Sequence, residues 1–430
     1  MINFISKSVI SLFLIDFAIL ATTTFLTAKK FEIPEIGVIT LLVVGAGMFS
    51  LYLKDNYKIR EYDFSCGNAL RLFEGVIFAH IPAFVFAGFF IDDDLSKFLF
   101  SNVIIVYCLL LLTRICFHAQ FDFFKKTKNV LIVGENARAT TISKLIEAVP
   151  ALKMHVSGII PAGDKNIREN VLENNVKIVV FTELSPGVLC VPRGTKIFKM
   201  TDFYEKITGK CYVDDDAMKN FCYEFSNRQS LLYDFYKRVF DVVSSLIILI
   251  VTFPITGGIA LGVWLTDKGS PLFTQTRVGK NGKTFECFKI RTMYKNDYVP
   301  KSERDVKYAE SASSDDRIIP FCKIVRKLRF DEIPQMINIL KGEMSIVGPR
   351  AEWEDEVVVF EKTIPYYKLR QSIKAGWTGW SHINMNPVFS VEEEKERLAY
   401  DLYYIKHKNL FLDISILVKA VFLACSGRHK

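Results

Sequence analysis

Four long apolar segments at the start of the chain constrain its fold more than any other feature. They run over Ser8–Ala28, Ile36–Leu53, Leu70–Ile91 and Phe98–Phe117. Each is long enough, or nearly so, to cross the roughly 30 Å hydrocarbon core of a bilayer as a helix. Half of all residues are hydrophobic and the mean hydropathy is positive, which together argue against an ordinary soluble enzyme. The sequence therefore predicts a four-helix transmembrane bundle over residues 1–120 of a protein that also has soluble parts.

Charged residues around these segments indicate how the bundle is oriented. Lysines and arginines cluster in the second loop and after the fourth segment, whereas the third loop carries Asp92, Asp93 and Asp94. Basic loops stay on the cytoplasmic side, so we expect both ends of the bundle to lie there, although Lys29 and Lys30 run against the pattern. Because a charge is costly in lipid, Asp16 inside the first segment should face the bundle or a polar neighbour.

An α/β pattern follows the bundle. The run KNVLIVGENARATTISKLIEAV is typical of a strand, a glycine turn and a helix, and VSGII, KIVVF and KIFKM are further strand-like runs. This predicts a degenerate Rossmann-like domain at 121–227. A dinucleotide fingerprint needs glycines at 134, 136 and 139, but the chain has Gly134, Asn136 and Ala139. Asn136 replaces the glycine that lets the backbone approach a pyrophosphate, which favours a structural or regulatory module.

A second membrane element opens the remaining domain, 228–430. Its apolar run Val239–Leu265 follows Lys237 and Arg238, and a straight spanning helix is the default interpretation. Pro254 argues otherwise, since it removes a backbone hydrogen bond in mid-run. A fifth span would also carry the lysine- and arginine-rich remainder to the outside. We therefore predict a re-entrant helix over about 237–266 that bends at Pro254 and returns to the cytoplasmic face.

Two adjacent carboxylates, Asp331 and Glu332, stand between a basic run and Pro334. Proline fits the first turn of a helix, so the predicted helix begins near Asp331 and ends at Leu340. The pair would then cap this helix, whose N–H groups and dipole hold a carboxylate ionised and attract phosphate. An ionised aspartate is a usable nucleophile toward phosphorus. On its own, however, such a pair marks only a good cap.

Cations surround this pair in the sequence. Gly269–Met293 alternates apolar and polar residues around a Gly-Lys-Asn-Gly turn, which predicts a hairpin carrying Lys283, Lys289 and Arg291. Arg350 follows the turn Val-Gly-Pro and offers a planar cation suited to phosphate. A substrate with two phosphates needs several such groups, although solvated strand charges explain the hairpin cations as well. The net charge of +8 does not choose between nucleic acid, anionic lipid and phosphorylated substrates.

The stretch DEIPQMINILKGEMSIVGPR resembles the signature of the bacterial sugar transferases, the monotopic phosphoglycosyl transferases that move a hexose 1-phosphate onto a polyprenyl phosphate. The resemblance covers roughly residues 233–427 and includes the family's GxPxxFxQxRxGxxGxxF and KxRTM elements. It implies that Asp331 is the nucleophile and Glu332 its acidic partner, and that the helix at Pro254 is re-entrant. The residues it implies for binding substrate phosphates are Lys283, Lys289, Arg291, Arg317 and Arg350, with Arg317 in a degenerate Asp-Pro-Arg element.

The resemblance also implies a reaction and a location. A UDP-sugar would donate a hexose 1-phosphate to undecaprenyl phosphate through an aspartyl phosphosugar, with release of UMP and with Mg²⁺ held by Asp331 and Glu332. The catalytic domain would face the cytoplasm at the bacterial inner membrane. The expected partners are the two substrates and the lipid bilayer; a homodimer is left open, and nucleic acid is not expected. The transferred sugar and the ligand of the Rossmann-like domain are not predicted.

The segment KAGWTGWSHIN departs from the family pattern, in which Lys-Pro-Gly-x-Thr-Gly is followed by Gln. Ala375 replaces the proline, and Ser381 and His382 differ as well, in a region that bears on sugar or nucleotide choice. His382 is a candidate base, but a lone histidine is more often structural.

Two other functions remain open from the sequence. A membrane-bound nucleotide-sugar dehydratase or epimerase would need an intact glycine fingerprint and a following Tyr-x-x-x-Lys pair. The pairs Tyr233/Lys237 and Tyr404/Lys408 lie outside the Rossmann segment. A non-enzymatic assembly scaffold is the second alternative, and the presence of Asp331, Glu332 and Arg350 speaks against it.

Overall fold

The computed structural model describes residues 7–31, 36–53, 66–87, 93–124, 127–164, 166–183, 191–227, 231–294, 318–388 and 390–426. The chain divides into two compact units, Met1–Phe203 and Tyr204–Lys430. The predicted domain boundaries after residues 120 and 227 stay predictions. The described part of 204–227 nevertheless packs within the second unit, where the N–H of Cys211 donates to the carbonyl of Ala399 at 2.9 Å.

Long apolar helices begin the first unit. They are α1 (Lys7–Lys30), α2 (Ile36–Leu53), α3 (Cys66–Ala87) and α4 (Asp93–Phe124). Helices α1 and α3 each pack against both α2 and α4. Their facing side chains are buried, among them Leu20, Val43, Leu72 and Val106, while Phe25 and Phe100 are exposed on the outside. An apolar surface of this extent marks a contact with lipid or protein.

Three helices of the described chain are long and apolar enough to cross a membrane. Leu12–Lys30 and Lys97–Cys116 belong to α1 and α4, and Leu231–Thr266 lies in the second unit. The predicted combination of apolar helices with an α/β domain is confirmed. The number of spans and their orientation stay predictions.

Asp16 and Arg114 form a buried ion pair inside the bundle. The two carboxylate oxygens of Asp16 accept from the two terminal nitrogens of Arg114 at 2.8 and 2.7 Å, and Asp16 is completely buried. This confirms that Asp16 faces a polar neighbour. Elsewhere in the bundle, the amide of Asn102 donates to Thr24 Oγ1 and contacts His80 Nε2, both at 3.0 Å. Buried polar groups in the bundle thus pair with one another, as the cost of burying them requires.

We expect Asp16→Leu to destabilise the bundle, because Arg114 would stay buried without the carboxylate of Asp16. Breaking a buried ion pair costs about 3–5 kcal/mol, whereas replacing both members with apolar residues is often close to neutral. The double variant Asp16→Leu/Arg114→Leu should therefore be more stable than Asp16→Leu alone. Thermal unfolding of the detergent-solubilised protein measures this, and a double variant less stable than either single variant would contradict it.

A parallel sheet follows the bundle. Its described strands are β1 (Lys128–Val133), β2 (Met154–Ile160), β3 (Val176–Phe181) and β4 (Lys196–Lys199), in the order β2-β1-β3-β4. Helices α5 (Ala137–Ala148) and α6 (Ile167–Glu173) connect them. The strand-like runs of the sequence thus form one sheet, and a buried cluster including Leu131, Val171 and Val179 joins it to α6.

Side chains bridge the edge of this sheet where related folds bind ligands. In open parallel sheets, ligands bind where the strand order reverses, which here is between the ends of β1 and β3. Asn136 caps α5, accepting from the N–H of Ala139 at 3.1 Å, and its amide donates to Thr182 Oγ1 (3.1 Å) and Glu183 Oε1 (2.7 Å). A Cβ at Gly134 would collide with Thr182 Oγ1. These contacts favour the structural interpretation of the module.

The second unit mixes helices with short strands. Helix α7 (Met200–Thr208) spans the division between the two units. The elements that follow it in chain order are α8 (Asp215–Asn227), α9 (Leu231–Asp267), β5 (Leu272–Val278), β6 (Thr284–Ile290), α10 (Cys322–Lys327), α11 (Gln335–Lys341), β7 (Ser345–Val347), α12 (Glu354–Thr363), β8 (Gly376–Thr378), α13 (Trp380–Asn384), α14 (Val391–His407) and α15 (Leu410–Ser426). The predicted hairpin is present, since β5 and β6 pair antiparallel from Leu272↔Ile290 to Val278↔Thr284.

Protein groups anchor the start of α9. Lys237 Nζ lies 3.3 Å from Asp241 and 3.2 Å from Asp413, and the Arg238 guanidinium donates to the carbonyls of Ile339 and Leu340 at 2.6 and 2.7 Å. The two cations therefore fasten α9 to the rest of the unit, in addition to the membrane role that the sequence suggested for them.

Candidate active site

Asp331 and Glu332 lie in a separate turn between α10 and α11. The predicted helix from Asp331 to Leu340 is wrong in its start: Phe330–Glu332 forms a 3₁₀ turn, and α11 begins at Gln335 with Pro334 as its N-cap residue. Arg329 adopts a left-handed backbone (φ 57°), which separates the turn from α10. No side chain of the described chain caps α11. The helix dipole is thus not what sets the charge of the pair.

Cations hold Glu332 instead. Its Oε1 lies 3.0 Å from Lys289 Nζ, and its Oε2 lies 3.6 Å from Arg329 Nη1. Burial alone would raise the pKa of Glu332, but the positive charges of Lys289, Arg350 and Arg329 outweigh it and hold that pKa well below its usual range. Glu332 is therefore a fixed, ionised anchor for the cations around it.

Asp331 differs from its neighbour. Among the residues that the structure describes, no side chain donates to its carboxylate. Burial and the negative charge of Glu332 raise the pKa of Asp331 to about 6, against the opposing charges of Lys289 and Arg326. The backbone N–H that lowers this pKa belongs to Asp331 itself, in the 3₁₀ turn, and not to the start of α11 as predicted. Because this pKa still lies below neutrality, the group is mostly ionised at pH 7, and it is a weakly stabilised carboxylate of the kind a nucleophile requires.

Arg350 contributes a guanidinium beside this pair. Its side chain is partly buried, and within the described residues it has no hydrogen-bond partner. Burial alone would lower the pKa of Arg350, but the negative charges of Glu332 and Glu352 outweigh burial and raise it, so the guanidinium stays charged. The preceding turn is tight: a Cβ at Gly348 would lie 2.5 Å from the carbonyl oxygen of Lys374. Glycine is therefore required for β7 to approach the chain before β8 and place Arg350 here.

The other predicted cations are not all brought to this place. Arg291 donates from Nε to the carbonyl of Ser270 at 2.8 Å, so its guanidinium is engaged with the backbone. Lys283 is exposed at the hairpin turn just before β6, six residues from Lys289 and hence about 20 Å away along an extended chain. Arg317 lies outside the described residues. Lys289 and Arg350 are thus the predicted phosphate-binding residues that the structure places beside Glu332.

This placement predicts different effects for two hairpin lysines. Lys289→Ala should lower kcat/KM for the donor by about 10²-fold, since a charge-assisted contact beside the reacting group is worth about 1.5–3 kcal/mol. Lys283→Ala serves as the matched control and should change kcat/KM less than about twofold. Steady-state kinetics on both variants measure this, and equal losses would contradict the placement.

Comparison with known proteins adds to this geometry. The sequence model of the bacterial sugar transferase family matches residues 232–427, which include the whole site. The exopolysaccharide production protein ExoY of Sinorhizobium fredii is 34% identical over 202 residues, which cover 45% of this chain and 86% of ExoY. The chain belongs to the bacterial sugar transferase family. The resemblance drawn from its motifs is confirmed.

Longer relatives match part of this sugar transferase. The UDP-N-acetylgalactosamine-undecaprenyl-phosphate N-acetylgalactosaminephosphotransferase of Aeromonas hydrophila is 29% identical over 238 residues, and the UDP-glucose:undecaprenyl-phosphate glucose-1-phosphate transferase of Escherichia coli K12 is 35% identical over 188. The matched segments cover 54% and 39% of these two proteins. The similarity thus spans about half or less of their length.

The fit of this transferase's site to Mg²⁺ can be judged from its carboxylates. Among the described residues, no group of three or more His, Cys, Asp and Glu side chains is placed to hold a metal ion. Mg²⁺ at phosphoryl-transfer sites keeps several waters and takes only one or two carboxylates plus substrate phosphates. Asp331 fits that arrangement, whereas both oxygens of Glu332 face cations. The residues present therefore fit an ion shared between Asp331 and a bound diphosphate.

Sequence reasoning missed a buried ionic network behind the site. Arg370 pairs with Glu394 (3.0 Å) and Asp401 (2.8 Å), and it donates to the carbonyl of Arg350 at 3.2 Å. Arg397 pairs with Glu394 and with Glu352, both at 2.8 Å. The network ties α14 to the backbone of Arg350. Scattered charges in an amphipathic helix gave no signal that they are buried together.

Proposed function

We propose that this protein transfers a hexose 1-phosphate from a UDP-sugar to undecaprenyl phosphate and releases UMP. The observation that carries the proposal is the difference between two adjacent carboxylates: cations hold Glu332, whereas no described side chain donates to Asp331. The names of the relatives support the two substrates, since they specify UDP-glucose or UDP-N-acetylgalactosamine and undecaprenyl phosphate.

The first chemical step uses Asp331 as the nucleophile. One carboxylate oxygen attacks the β-phosphorus of the UDP-sugar, a bond forms between this oxygen and phosphorus, and the bond from phosphorus to the bridging oxygen breaks, so that UMP leaves with the electron pair. The product is an aspartyl phosphosugar. Lys289 and Arg350 lie where they can offset the charge that builds on the phosphoryl oxygens. Mg²⁺, when bound, would neutralise part of the charge of the diphosphate.

The second step regenerates the free carboxylate. A phosphate oxygen of undecaprenyl phosphate attacks the same phosphorus, and the bond to Asp331 breaks, which yields the lipid diphosphosugar. This step requires that a polar site lie at the depth of a lipid head group. The exposed apolar residues Phe321, Ile324 and Leu328, near the carboxylate turn, suit such a position. Val325, in the same helix as Ile324, is instead buried in the core.

Contacts of α9 support a bend at Pro254. Arg238 and Val263 are 25 positions apart, about 38 Å on a straight helix. Arg238 nevertheless bonds to the end of α11, while Val263 packs with Ile290 and Cys322. The backbone N–H of Phe288, two residues before Ile290, donates to the side chain of Asn338, next to Ile339, at 3.0 Å. The two ends of α9 therefore contact neighbouring parts of the unit, as a bend requires. The apolar middle of α9 is exposed, as expected if it enters the cytoplasmic leaflet of the inner membrane and returns.

The experiment that tests this function is UMP release by the purified full-length protein with Mg²⁺, undecaprenyl phosphate and a panel of UDP-sugars that includes UDP-glucose and UDP-N-acetylgalactosamine. We expect one of these sugars to support UMP release. Release beyond one UMP per protein molecule should require the lipid. Absence of release with every donor would favour the scaffold alternative. The dehydratase alternative has little support, since Tyr404 is buried and donates to Asp413 at 2.6 Å in the second unit.

A further inference from the structure

Arg329 and His382 form a contact beside the carboxylate pair to which the proposed reaction assigns no role. Nη1 of Arg329 lies 2.7 Å from Nε2 of His382, and the same nitrogen lies 3.6 Å from Glu332 Oε2. A guanidinium has donors and no acceptor, so Nε2 of His382 must be an unprotonated acceptor. The neutral imidazole then carries its proton on Nδ1.

The surroundings of His382 favour this neutral form. Burial lowers the pKa of His382, and the positive charges of Arg350 and Arg329 lower it further, to well below the usual range. The lone pair of Nε2 is engaged by a permanently charged donor, so His382 has no free lone pair with which to accept a proton at neutral pH. A role as catalytic base is therefore disfavoured.

Other groups hold the short helix that carries His382. Ser381 Oγ donates to Asp401 at 2.8 Å, and Trp380 Nε1 donates to the carbonyl of Gly209 at 2.8 Å. The Trp380 ring also stacks on Tyr403. The imidazole is thus not needed to fasten α13. Arg329 in turn has a left-handed backbone, and such conformations of residues other than glycine cluster at functional sites.

We propose that His382 is a specificity-determining contact to the donor substrate: it holds Arg329 through Nε2 and donates its Nδ1–H to an oxygen of the bound UDP-sugar. Within the described part of the chain, Nδ1 has no hydrogen-bond partner. The ring lies among Arg350, Arg329 and Glu332, the charged groups around the diphosphate site. This inference rests on the proposed function, and it assigns His382 to donor binding rather than to the bond-making steps.

Kinetics of three variants test the proposal. His382→Leu should raise KM for the UDP-sugar about tenfold, the value of one hydrogen bond, with kcat changed less than about threefold. His382→Gln offers an oxygen to accept from Arg329 and an N–H to donate, and it should recover most of this loss. The matched control is His155→Leu, at an exposed position in β2 of the first unit, which should behave as wild type.

Two kinetic outcomes would overturn the proposal. An unchanged KM in His382→Leu would show that the ring does not touch the donor. A fall of 10²-fold or more in kcat that Gln does not restore would show a base instead, since general bases contribute about 10²–10⁴-fold.

A second measurement separates failure of this inference from failure of the proposed function. If the wild-type protein turned over no UDP-sugar, the function would fail, and His382 would be read directly by ¹⁵N NMR of the full-length protein labelled at its six histidines. We expect a neutral ring of His382 protonated on Nδ1, whose Nδ1 signal shifts when UDP-glucose or UDP-N-acetylgalactosamine is added. A ring protonated on Nε2, or an Nδ1 signal that neither sugar moves, overturns the inference.

Discussion

Asp331→Asn should abolish transfer, with a loss of at least about 10³-fold in kcat and little change in fold. The amide matches the carboxyl in size but is not nucleophilic, so the covalent step has no substitute. In subtilisin, loss of the nucleophile costs about 10⁶-fold in kcat, and the residual rate there comes from binding and positioning alone. UMP release under saturating donor and lipid measures this. The matched control is Asp355→Asn, at an exposed position in α12, which should retain wild-type activity.

The same variant should be more stable than the wild-type protein at pH 7. Burial and Glu332 raise the pKa of Asp331 to about 6 in the folded protein, from about 4 in the unfolded chain. The folded state therefore holds the proton more tightly, and the stability that this provides is lost as pH rises from about 4 through 6. Asparagine does not ionise, so the stability advantage of Asp331→Asn over the wild-type protein should vanish below about pH 4.

The activity of the variant decides the role of Asp331. If Asp331→Asn kept a tenth of wild-type activity, Asp331 would not be the nucleophile.

Arg370→Ala should have the largest effect on stability. Arg370 is buried with Glu394, Asp401 and, at 3.9 Å, Glu352, so its loss leaves several buried carboxylates without this cation. Breaking buried ion pairs in this way costs about 3–5 kcal/mol. For a unit of this size that lowers the apparent Tm by roughly 10 °C. Circular dichroism during heating of the detergent-solubilised protein measures the shift.

The loss in Arg370→Ala should also grow with pH. Burial already raises the pKa of Glu394 and of Asp401 despite the opposing charge of Arg370. Without the guanidinium those folded-state pKa values rise further, so the protonated carboxyls stabilise the variant at low pH and this stability is lost as they ionise. The exposed pair Lys219–Asp216 is the control, because Lys219→Ala should cost less than about 0.5 kcal/mol. Equal shifts in Tm for Arg370→Ala and Lys219→Ala would contradict the role of the network.

Features set by local pattern could be predicted from the sequence. Hydropathy placed α1 to α4 to within a few residues at most ends, and alternation around Gly279 to Gly282 predicted the β5–β6 hairpin. The motif identified Asp331, Glu332 and Arg350 as one group. Their surroundings depend on contacts between distant positions, such as Lys289 with Glu332 across 43 residues, and these leave no local pattern.

The capping prediction failed for a related reason. Asp-Glu before a proline has the composition of a helix start, but Arg329 takes a left-handed backbone and separates a 3₁₀ turn from α11. The charge of Glu332 then depends on burial and on Lys289, Arg350 and Arg329. The charge of Asp331 depends on burial and on Glu332 rather than on the N–H groups at the start of α11. His382 was noticed as a lone histidine, yet its contact with Arg329 is what defines its state.

The central claim is that Asp331 forms a covalent phosphosugar before the lipid acts. The most direct test is a single-turnover experiment with the reactive UDP-sugar and Mg²⁺ but no undecaprenyl phosphate, with UMP quantified and the peptide containing Asp331 weighed by mass spectrometry. We predict a burst of close to one UMP per protein molecule, a mass gain of one hexose phosphate on that peptide, and neither in Asp331→Asn. Release of UMP only after the lipid is added, with an unmodified peptide, would instead show direct transfer and contradict the account.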